Sequence, residues 1–431
     1  MTGLLKLYEF LTRKGQPLLE QTLKKREQRQ KEDPARIGER MGRPGLPRPD
    51  GALVWIHAAS VGESQSTLIL IDAIHARHPQ AKILVTTGTV SSATLMGKRL
   101  PPFALHQYIP LDNPDWIASF LNHWKPDAAL WMESELWPNF VTEIKRRGIP
   151  LALINARLSD KSVTRWRLVK NTIRTVLESF SIILTQTKND EQNFRLLGAQ
   201  NIVTTNNLKY SSAPLPFDSQ QLSAIKSAIG QRPTWVYAST HDGEELLACR
   251  VHAKLKSRLP DLLTIIVPRH IDRRGAIAGL CRSAGLACSL RSEGKLPGSQ
   301  DDIYIADTLG ELGLFYTLSP IAMIGRSFSN DGGGGHNPVE AAQLNCAVLT
   351  GPHVQYQQQM FDDMFAENAA LQVHTEQELY NTLSHLMTDG EALRQLQDKS
   401  AGFAREKSHV IDVVMTNLSS CLALLEKKNA A

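Results

Sequence analysis

Three short stretches of the chain carry the residue types that acid–base and anion chemistry require. In the first, Leu53-Val54-Trp55-Ile56 runs as an apolar segment into His57-Ala58-Ala59-Ser60-Val61-Gly62-Glu63. A strand ending on a glycine and a carboxylate can use the acid to balance the positive end of a helix, or can present it at a cleft mouth as a general base. Gly62 would let the backbone turn there, beside Ser60. In the second, MESELWPN (132–139), Glu133 and Glu135 stand two residues apart directly after an apolar run. Paired acids can share proton transfer or bind a metal, and they can equally divide into one exposed acid and one helix cap. The third, DGGGGHNPVEAA (331–342), has four consecutive glycines, which allow a backbone to approach a ligand closely. His336, Asn337 and Pro338 then open a helix with Glu340 in its first turn. Phosphate would rest on that helix end and Glu340 would bind ribose hydroxyls. No Gly-Lys-Ser/Thr follows, so this is not a P-loop, and no G-x-G-x-x-G follows the first strand, which disfavours a dinucleotide oxidoreductase.

Smaller groups accompany these. STHDGEE (239–245) supplies Ser239, Thr240, a histidine and Glu244 at a helix start, where a capping box accounts for part of the pattern. PRHIDR (268–273) places Arg269 and His270 after a strand, where an arginine can clamp phosphate or carboxylate. NARLSDKS brings Arg157 and NNLKY brings Lys209. Each alone reads as a surface ion pair. What gives them weight together is that all follow strands.

The elements that must position these residues alternate. Strands are predicted at 53–58, 82–87, 105–109, 128–132, 151–154, 182–185 and 201–205, with helices near 64–77, 91–99, 114–123, 136–147, 162–178 and 188–197. The Pro- and Ser-containing stretch 206–233 interrupts the rhythm. It restarts with strands at 234–239, 262–267, 302–306, 321–324 and 347–350, and helices near 242–258, 271–283, 309–317, 337–344 and 374–387. Such alternation predicts an α/β protein with two Rossmann-like doubly wound halves and a ligand cleft at the carboxyl ends of both sheets. The expected organisation is an N-terminal segment 1–43, a first domain 44–206, a linker 207–233, a second domain 234–405, and a helix over 406–431 that packs back on the first domain.

Composition sets outer limits. With 431 residues, 42% hydrophobic and 21% charged, the chain is of ordinary globular type and long enough for two large cores. Five scattered cysteines without a C-x-x-C argue against a disulfide framework or a zinc site, and a reducing compartment is expected. Neither a signal peptide nor a stretch approaching a membrane-spanning helix is read from the sequence. The net charge of +5 lies in residues 1–43, which hold eleven Lys and Arg against six Asp and Glu. Leucines 4, 5, 7, 11, 18, 19 and 23 and Tyr8 alternate there with Lys6, Arg13, Lys14, Lys24, Lys25 and Arg26. This is the pattern of a basic amphipathic helix, suited either to an anionic membrane surface or to packing with a solvated basic face. The basic residues are not interleaved with aromatics, so nucleic acid is not an expected partner.

In order and spacing, WIHAASVGE, MESELWPN, NARLSDKS, STHDGEE, VPRHIDR, DTLGEL and GGHNPVEAA resemble the Kdo (3-deoxy-D-manno-octulosonic acid) transferases of lipopolysaccharide biosynthesis, from about residue 36 to the C-terminal helix. The resemblance implies a GT-B fold and inverting transfer of Kdo from CMP-Kdo to the tetra-acylated lipid A precursor, without a metal or other cofactor. It implies Glu63 as the general base and Glu133 as a second essential acid on the acceptor side, in the first domain. It implies CMP binding by the second domain through Ser239, Thr240, Glu244, Arg269, Gly335, His336, Asn337 and Glu340. Ser60, Gly62, Arg157 and Lys209 become candidates for the acceptor or the donor carboxylate. The expected location is the cytoplasmic face of the bacterial inner membrane, held by the basic N-terminal segment. The chain departs from the family pattern at Arg326 and Asn206, where glycines are usual, and at Val354-Gln355-Tyr356. A GT-B enzyme of another sugar nucleotide, an epimerase of that fold, and a membrane-docked nucleotide-binding scaffold remain as alternatives. A helix start also tends to lower an acid's pKa, so Glu63 would need partial burial to serve as a base.

Overall fold

The computed structural model describes residues 2–329 and 331–429, with side chains through 425. It divides into two compact units, one running to Ser212 and resuming at His409, the other spanning Ala213–Ser408.

The first unit is built on seven strands: β1 Leu53–Ala58, β2 Lys82–Thr87, β3 Ala104–Tyr108, β4 Ala128–Met132, β5 Leu151–Ala156, β6 Ile182–Thr185 and β7 Ile202–Thr204. They form one sheet in the order β3-β2-β1-β4-β5-β6-β7, with every neighbouring pair parallel. Parallel strands need crossover helices that cover both faces, which is why β1, β4 and β5 are buried end to end and apolar apart from His57 and Asn155. Aromatics pack β1 against β4: Trp55 lies 4.9 Å from Phe120 and 5.8 Å from Trp131, ring centroid to ring centroid. The predicted single helix over 162–178 is two helices, Asp160–Arg167 and Lys170–Leu177, with Leu168 exposed at the break.

The N-terminal segment is not one amphipathic helix. Gly3–Lys14 and Gln16–Gln28 are separate helices meeting at Gly15, and a 3₁₀ segment, Pro34–Met41, follows. The first helix carries two stripes. Leu5, Tyr8 and Thr12 face the unit: Leu5 is buried, the Tyr8 hydroxyl donates to Asp112 at 3.0 Å, and Asn139 donates to the Thr12 hydroxyl at 2.9 Å. Leu4, Leu7, Phe10 and Leu11 are exposed. The 3₁₀ segment covers the edge of β3, where Glu39 accepts the Tyr108 backbone N–H at 2.7 Å.

The last helix, Val410–Asn429, returns to the first unit and buries Val414, Leu418, Cys421, Leu422 and Leu425. An 18-residue window within Gly390–Leu425 reaches a mean hydropathy of 1.4, enough by length and composition to cross a membrane. Core packing covers part of that apolar surface: 39% of the window is buried, while Val413 and Leu424 of the same helix are exposed.

The second unit repeats the plan with β8 Thr234–Thr240, β9 Leu263–Pro268, β10 Cys288–Leu290, β11 Ile303–Ile305, β12 Ile321–Ile324, β13 Ala347–Thr350 and β14 Leu371–Gln372, in the order β10-β11-β9-β8-β12-β13-β14. Residues 207–233 are not bare linker. A 3₁₀ turn spans Leu208–Ser211, and Asp218 caps the helix Ser219–Ile229, which buries Ile225 and Ile229. Both sheets reverse strand order at one place, between β1 and β4 and between β8 and β12. Loops leaving the carboxyl ends of such neighbours diverge and open a crevice for a ligand.

Candidate active site

In the first unit that switch point holds the carboxylates. Ser60 caps the helix Val61–Arg77, and its hydroxyl both accepts the Glu63 N–H at 3.3 Å and donates to Glu63 Oε1 at 2.8 Å. The Ala59 N–H donates to Glu63 Oε2 at 2.8 Å. This is a capping box drawn back by one residue, so the helix-end role of Glu63 is real. It does not exhaust the group. Each oxygen has one protein donor, which leaves lone pairs free for a substrate hydroxyl. Nor does the helix end make it a weak base. Burial, to 7% exposure, pushes the carboxyl up to about 7, and the charges of Glu133 and Glu135 push the same way against the Ala59 and Ser60 hydrogen bonds. Gly62 does not turn the chain. It lies within the helix, and an added Cβ would stand 3.8 Å from the Lys209 ammonium nitrogen.

Glu133 leaves the end of β4 in the left-handed region, φ 55°, an uncommon conformation for a non-glycine residue. Burial raises its carboxyl, while the charges of Lys209 and Arg157 oppose the rise. Its neighbour Glu135 is taken: it accepts the Trp137 indole N–H at 2.5 Å. Arg157, exposed, follows β5. Lys209 sits on the 3₁₀ turn Leu208–Ser211, which Asn155 holds by accepting the Leu208 N–H at 2.9 Å. Ser60, Glu63, Glu133, Arg157 and Lys209 thus share one rim, two acids against two bases.

In the second unit the residues named from the sequence divide. Glu244 is fully buried, and its carboxylate accepts the backbone N–H groups of His241, Arg326, Ser327 and Phe328 at 2.8–2.9 Å. It staples the loop after β12 and has nothing left for a donor substrate. Thr240 is also buried, donating to Glu245 at 2.9 Å, and Ser239 forms a bulge with φ 57°. The helix expected at 337–344 is only Val339–Gln343, and the Asn337 side chain already accepts its Val339 N–H at 3.0 Å. That leaves fewer free N–H groups at the helix start than a longer, uncapped helix would offer a phosphate. Glu340 is tied to Asn337 at 3.1 Å, partly buried and raised by that burial.

Arg269, exposed after β9, and His336 remain open to a ligand, with Gly335 anchoring the loop by donating to the Arg326 carbonyl at 3.0 Å. Three residues not assigned to the site from the sequence join them. His241 Nε2 lies 3.1 Å from His336 Nε2, its Nδ1 lies 3.3 Å from Asp331, and Arg326 lies 3.6 Å from Asp331. The signal was present in STHDGEE, whose histidine follows the strand end directly. Among the described residues no group of three or more His, Cys, Asp or Glu is arranged to hold a metal ion. A cavity of about 480 Å³ lies elsewhere on the first unit, lined by Arg13, Thr142 and Lys145 among others; none of the candidate catalytic or substrate-binding residues lines it.

Comparison with known proteins places these rims in a family. Residues 35–212 match the profile of the family described as 3-Deoxy-D-manno-octulosonic-acid transferase (kdotransferase). A 3-deoxy-D-manno-octulosonic acid transferase of Rickettsia bellii is 35% identical over 385 residues, 89% of this chain and 91% of the relative. A probable mitochondrial 3-deoxy-D-manno-octulosonic acid transferase of Arabidopsis thaliana is 37% identical over 427 residues, 97% of this chain and 93% of its own length. The chain belongs to the Kdo transferase family. Among solved structures, UDP-GlcNAc 2-epimerase from Neisseria meningitidis superposes with a TM-score of 0.57 at 13% identity, covering 85% of this chain and all of that one. At that identity the likeness speaks for the fold alone, two parallel α/β units of GT-B type.

The two positions at which the resemblance led glycine to be expected share one backbone conformation. Asn206 and Arg326 both adopt left-handed backbone, φ 68° and 59°, where glycine is unstrained. Asn is the side chain that best tolerates that region. Asn206→Gly should therefore leave stability nearly unchanged and Asn206→Ala should cost about 1 kcal/mol, read from denaturant midpoints. The Arg326 guanidinium lies over the Tyr356 ring, 5.0 Å from its centroid. Tyr356 also packs on Gly334, where a Cβ would come within 2.1 Å of the ring at φ 127°. Gln355 donates to the Gly332 carbonyl. Arg326, Gln355 and Tyr356 together hold the glycine loop.

Proposed function

We propose that this Kdo transferase moves Kdo from CMP-Kdo to the glucosamine disaccharide of the tetra-acylated lipid A precursor, with inversion and with Glu63 as general base. The observation that carries the reading is Glu63 itself, a buried carboxyl raised to about 7 with free lone pairs, at the switch point of its sheet. A base near neutral pH is ionised often enough to act and basic enough to take a hydroxyl proton. The anomeric carbon of Kdo is quaternary and bears a carboxylate, so the transition state is oxocarbenium-like and CMP leaves as a phosphate monoester. A single displacement then needs one base on the acceptor. Glu133 is assigned to the acceptor side, and Arg157 and Lys209 to the donor carboxylate or acceptor phosphates. Arg269 and His336 are assigned to the leaving phosphate, a charge-stabilising role that calls for no metal cofactor.

The test is incubation with CMP-Kdo, generated in situ, and the tetra-acyl bisphosphate precursor. The mass gain of Kdo is expected, with inverted anomeric configuration by NMR and undiminished rate in EDTA. Stabilisation against heat by UDP but not by CMP would overturn the donor assignment.

We further infer that the chain works at the cytoplasmic face of the inner membrane. The exposed stripe of Leu4, Leu7, Phe10 and Leu11, with exposed Lys6 and Lys14, supports this reading. Triple substitution Leu7→Asp, Phe10→Asp and Leu11→Asp should release the protein from anionic vesicles by at least about tenfold in partition. The packing stripe is untouched, so thermal stability should hold. Unchanged vesicle binding would remove the assignment.

A further inference from the structure

Asp331, His241 and His336 stand in a line on the loops that follow β8 and β12. Their separations are 3.3 Å from Asp331 Oδ2 to His241 Nδ1 and 3.1 Å from His241 Nε2 to His336 Nε2; the ring centroids are 5.3 Å apart and the ring planes differ by 29°, so the two imidazoles meet edge to edge. Charge favours one arrangement of protons here. The Asp331 carboxylate 3.3 Å from His241 Nδ1 favours the tautomer that carries its hydrogen on that nitrogen. In a neutral imidazole that makes Nε2 the acceptor, and the hydrogen between the rings must then belong to His336 Nε2. His336 Nδ1 is left bare.

The surroundings are rich in cations. Burial first, then His241, Arg269, Arg326 and His270, hold the His336 imidazole down to about 4. His241 is also lowered, chiefly by burial, with Arg326 and His270 adding to this and Asp331 opposing it. The negative groups nearby are Asp331, held down to about 2 chiefly by the Ser329 hydroxyl, and Glu340, which faces Arg269. His353 packs behind Gly333. Without an anion, these positive groups oppose one another.

Resting on the reading that this unit holds the nucleotide donor, we propose that the Asp331–His241–His336 relay takes up a proton from solvent, onto His336 Nδ1, when the phosphate of a cytidine nucleotide enters among Arg269, Arg326 and His336. The incoming charge turns mutual repulsion into attraction. The new N–H faces the phosphate, while Nε2–H stays on the His241 lone pair and so leans on Asp331. His241 and Asp331 are then positioning residues. They fix the tautomer and favour the cation without touching the ligand. The same coupling favours release of the donor's phosphate ester as a dianion, since proton affinity and anion affinity rise together.

Calorimetric titration of the full chain with CMP at pH 7.5, in buffers of different ionisation enthalpy, measures this directly. Net proton uptake on CMP binding is expected, a fraction of a proton at pH 7.5 that grows as the pH is lowered toward about 6.5. CMP's own phosphate, with a second pKa of about 6, would release protons among cations, the opposite sign. Cytidine should show no uptake. His336→Gln should abolish it, and Asp331→Asn should reduce it with CMP still bound. CMP binding without uptake, or uptake that persists in His336→Gln, overturns the relay and leaves the proposed function standing. Failure of CMP to bind overturns both. The parent protein alone decides the sign, so a variant that misfolds leaves the test intact.

Discussion

Replacing Glu63 with glutamine should slow Kdo transfer by about two to four orders of magnitude while CMP affinity stays unchanged. Glutamine keeps the size of the side chain and one acceptor oxygen for the cap, so the helix Val61–Arg77 should persist. What is lost is the proton acceptor. Because burial and Glu133 raise the Glu63 carboxyl to about 7, the parent's kcat/KM should fall about tenfold per pH unit below that value and level off above about 8. Glu133→Gln removes one of the like charges that raise it, so the acidic limb of its residual activity should move to lower pH. A structural role for Glu63 would leave that limb in place. Stability gives a second, opposite-signed readout. A carboxyl whose folded pKa lies above its unfolded value favours folding at acid pH and loses that contribution as pH rises through about 7. Glu63→Gln should therefore melt higher than the parent at pH 8 and lose that advantage towards pH 5. Retained transfer in the glutamine variant would sink the assignment of the base.

The alternation of apolar strands and amphipathic helices was legible because parallel sheets bury both faces, and β4 and β12 are written as unbroken apolar runs, with β1 apolar apart from His57. Cys288–Leu290 and Leu371–Gln372 escaped notice because they are short edge strands with no buried residue, so no apolar run marks them. The position of Glu63 could be read, and its proton affinity could not. That depends on burial and on Glu133, which enters from another strand 70 residues later. Asn206 and Arg326 stood out as departures, yet only the backbone shows that both are left-handed positions. The relay at His336 was hidden for the same reason as the raised Glu63, since its members arrive from loops 95 residues apart. Local sequence reports which residues sit at a strand's end. It does not report what the neighbouring strand delivers beside them.

Glu244 is the strongest case, and its removal should be the most damaging single change in the second unit. An acid at the start of a helix reads as a cap or a ligand contact. Here it is the acceptor for His241 and, from 82 to 84 residues away, for Arg326, Ser327 and Phe328. Glu244→Ala would leave four backbone N–H groups without their acceptor, those of His241 and Ser327 buried and those of Arg326 and Phe328 partly so. At about 1–3 kcal/mol for each buried unsatisfied group, and allowing for relaxation, a loss of about 4 kcal/mol is expected, lowering the melting temperature of that unit by about 10 °C. The loop that would be freed carries Arg326 and leads to Asp331 and His336, so CMP affinity should fall even well below the melting temperature. Glu244→Gln separates charge from connectivity. Its amide oxygen can keep two of the four N–H groups, while its NH₂ faces the other two and repels them, so it should lie between parent and alanine in both stability and CMP binding. Glu244→Asp keeps the charge but falls short of the loop, and should resemble glutamine more than the parent. Should the glutamine variant match the parent in melting temperature and CMP affinity, the carboxylate is not the staple of this loop.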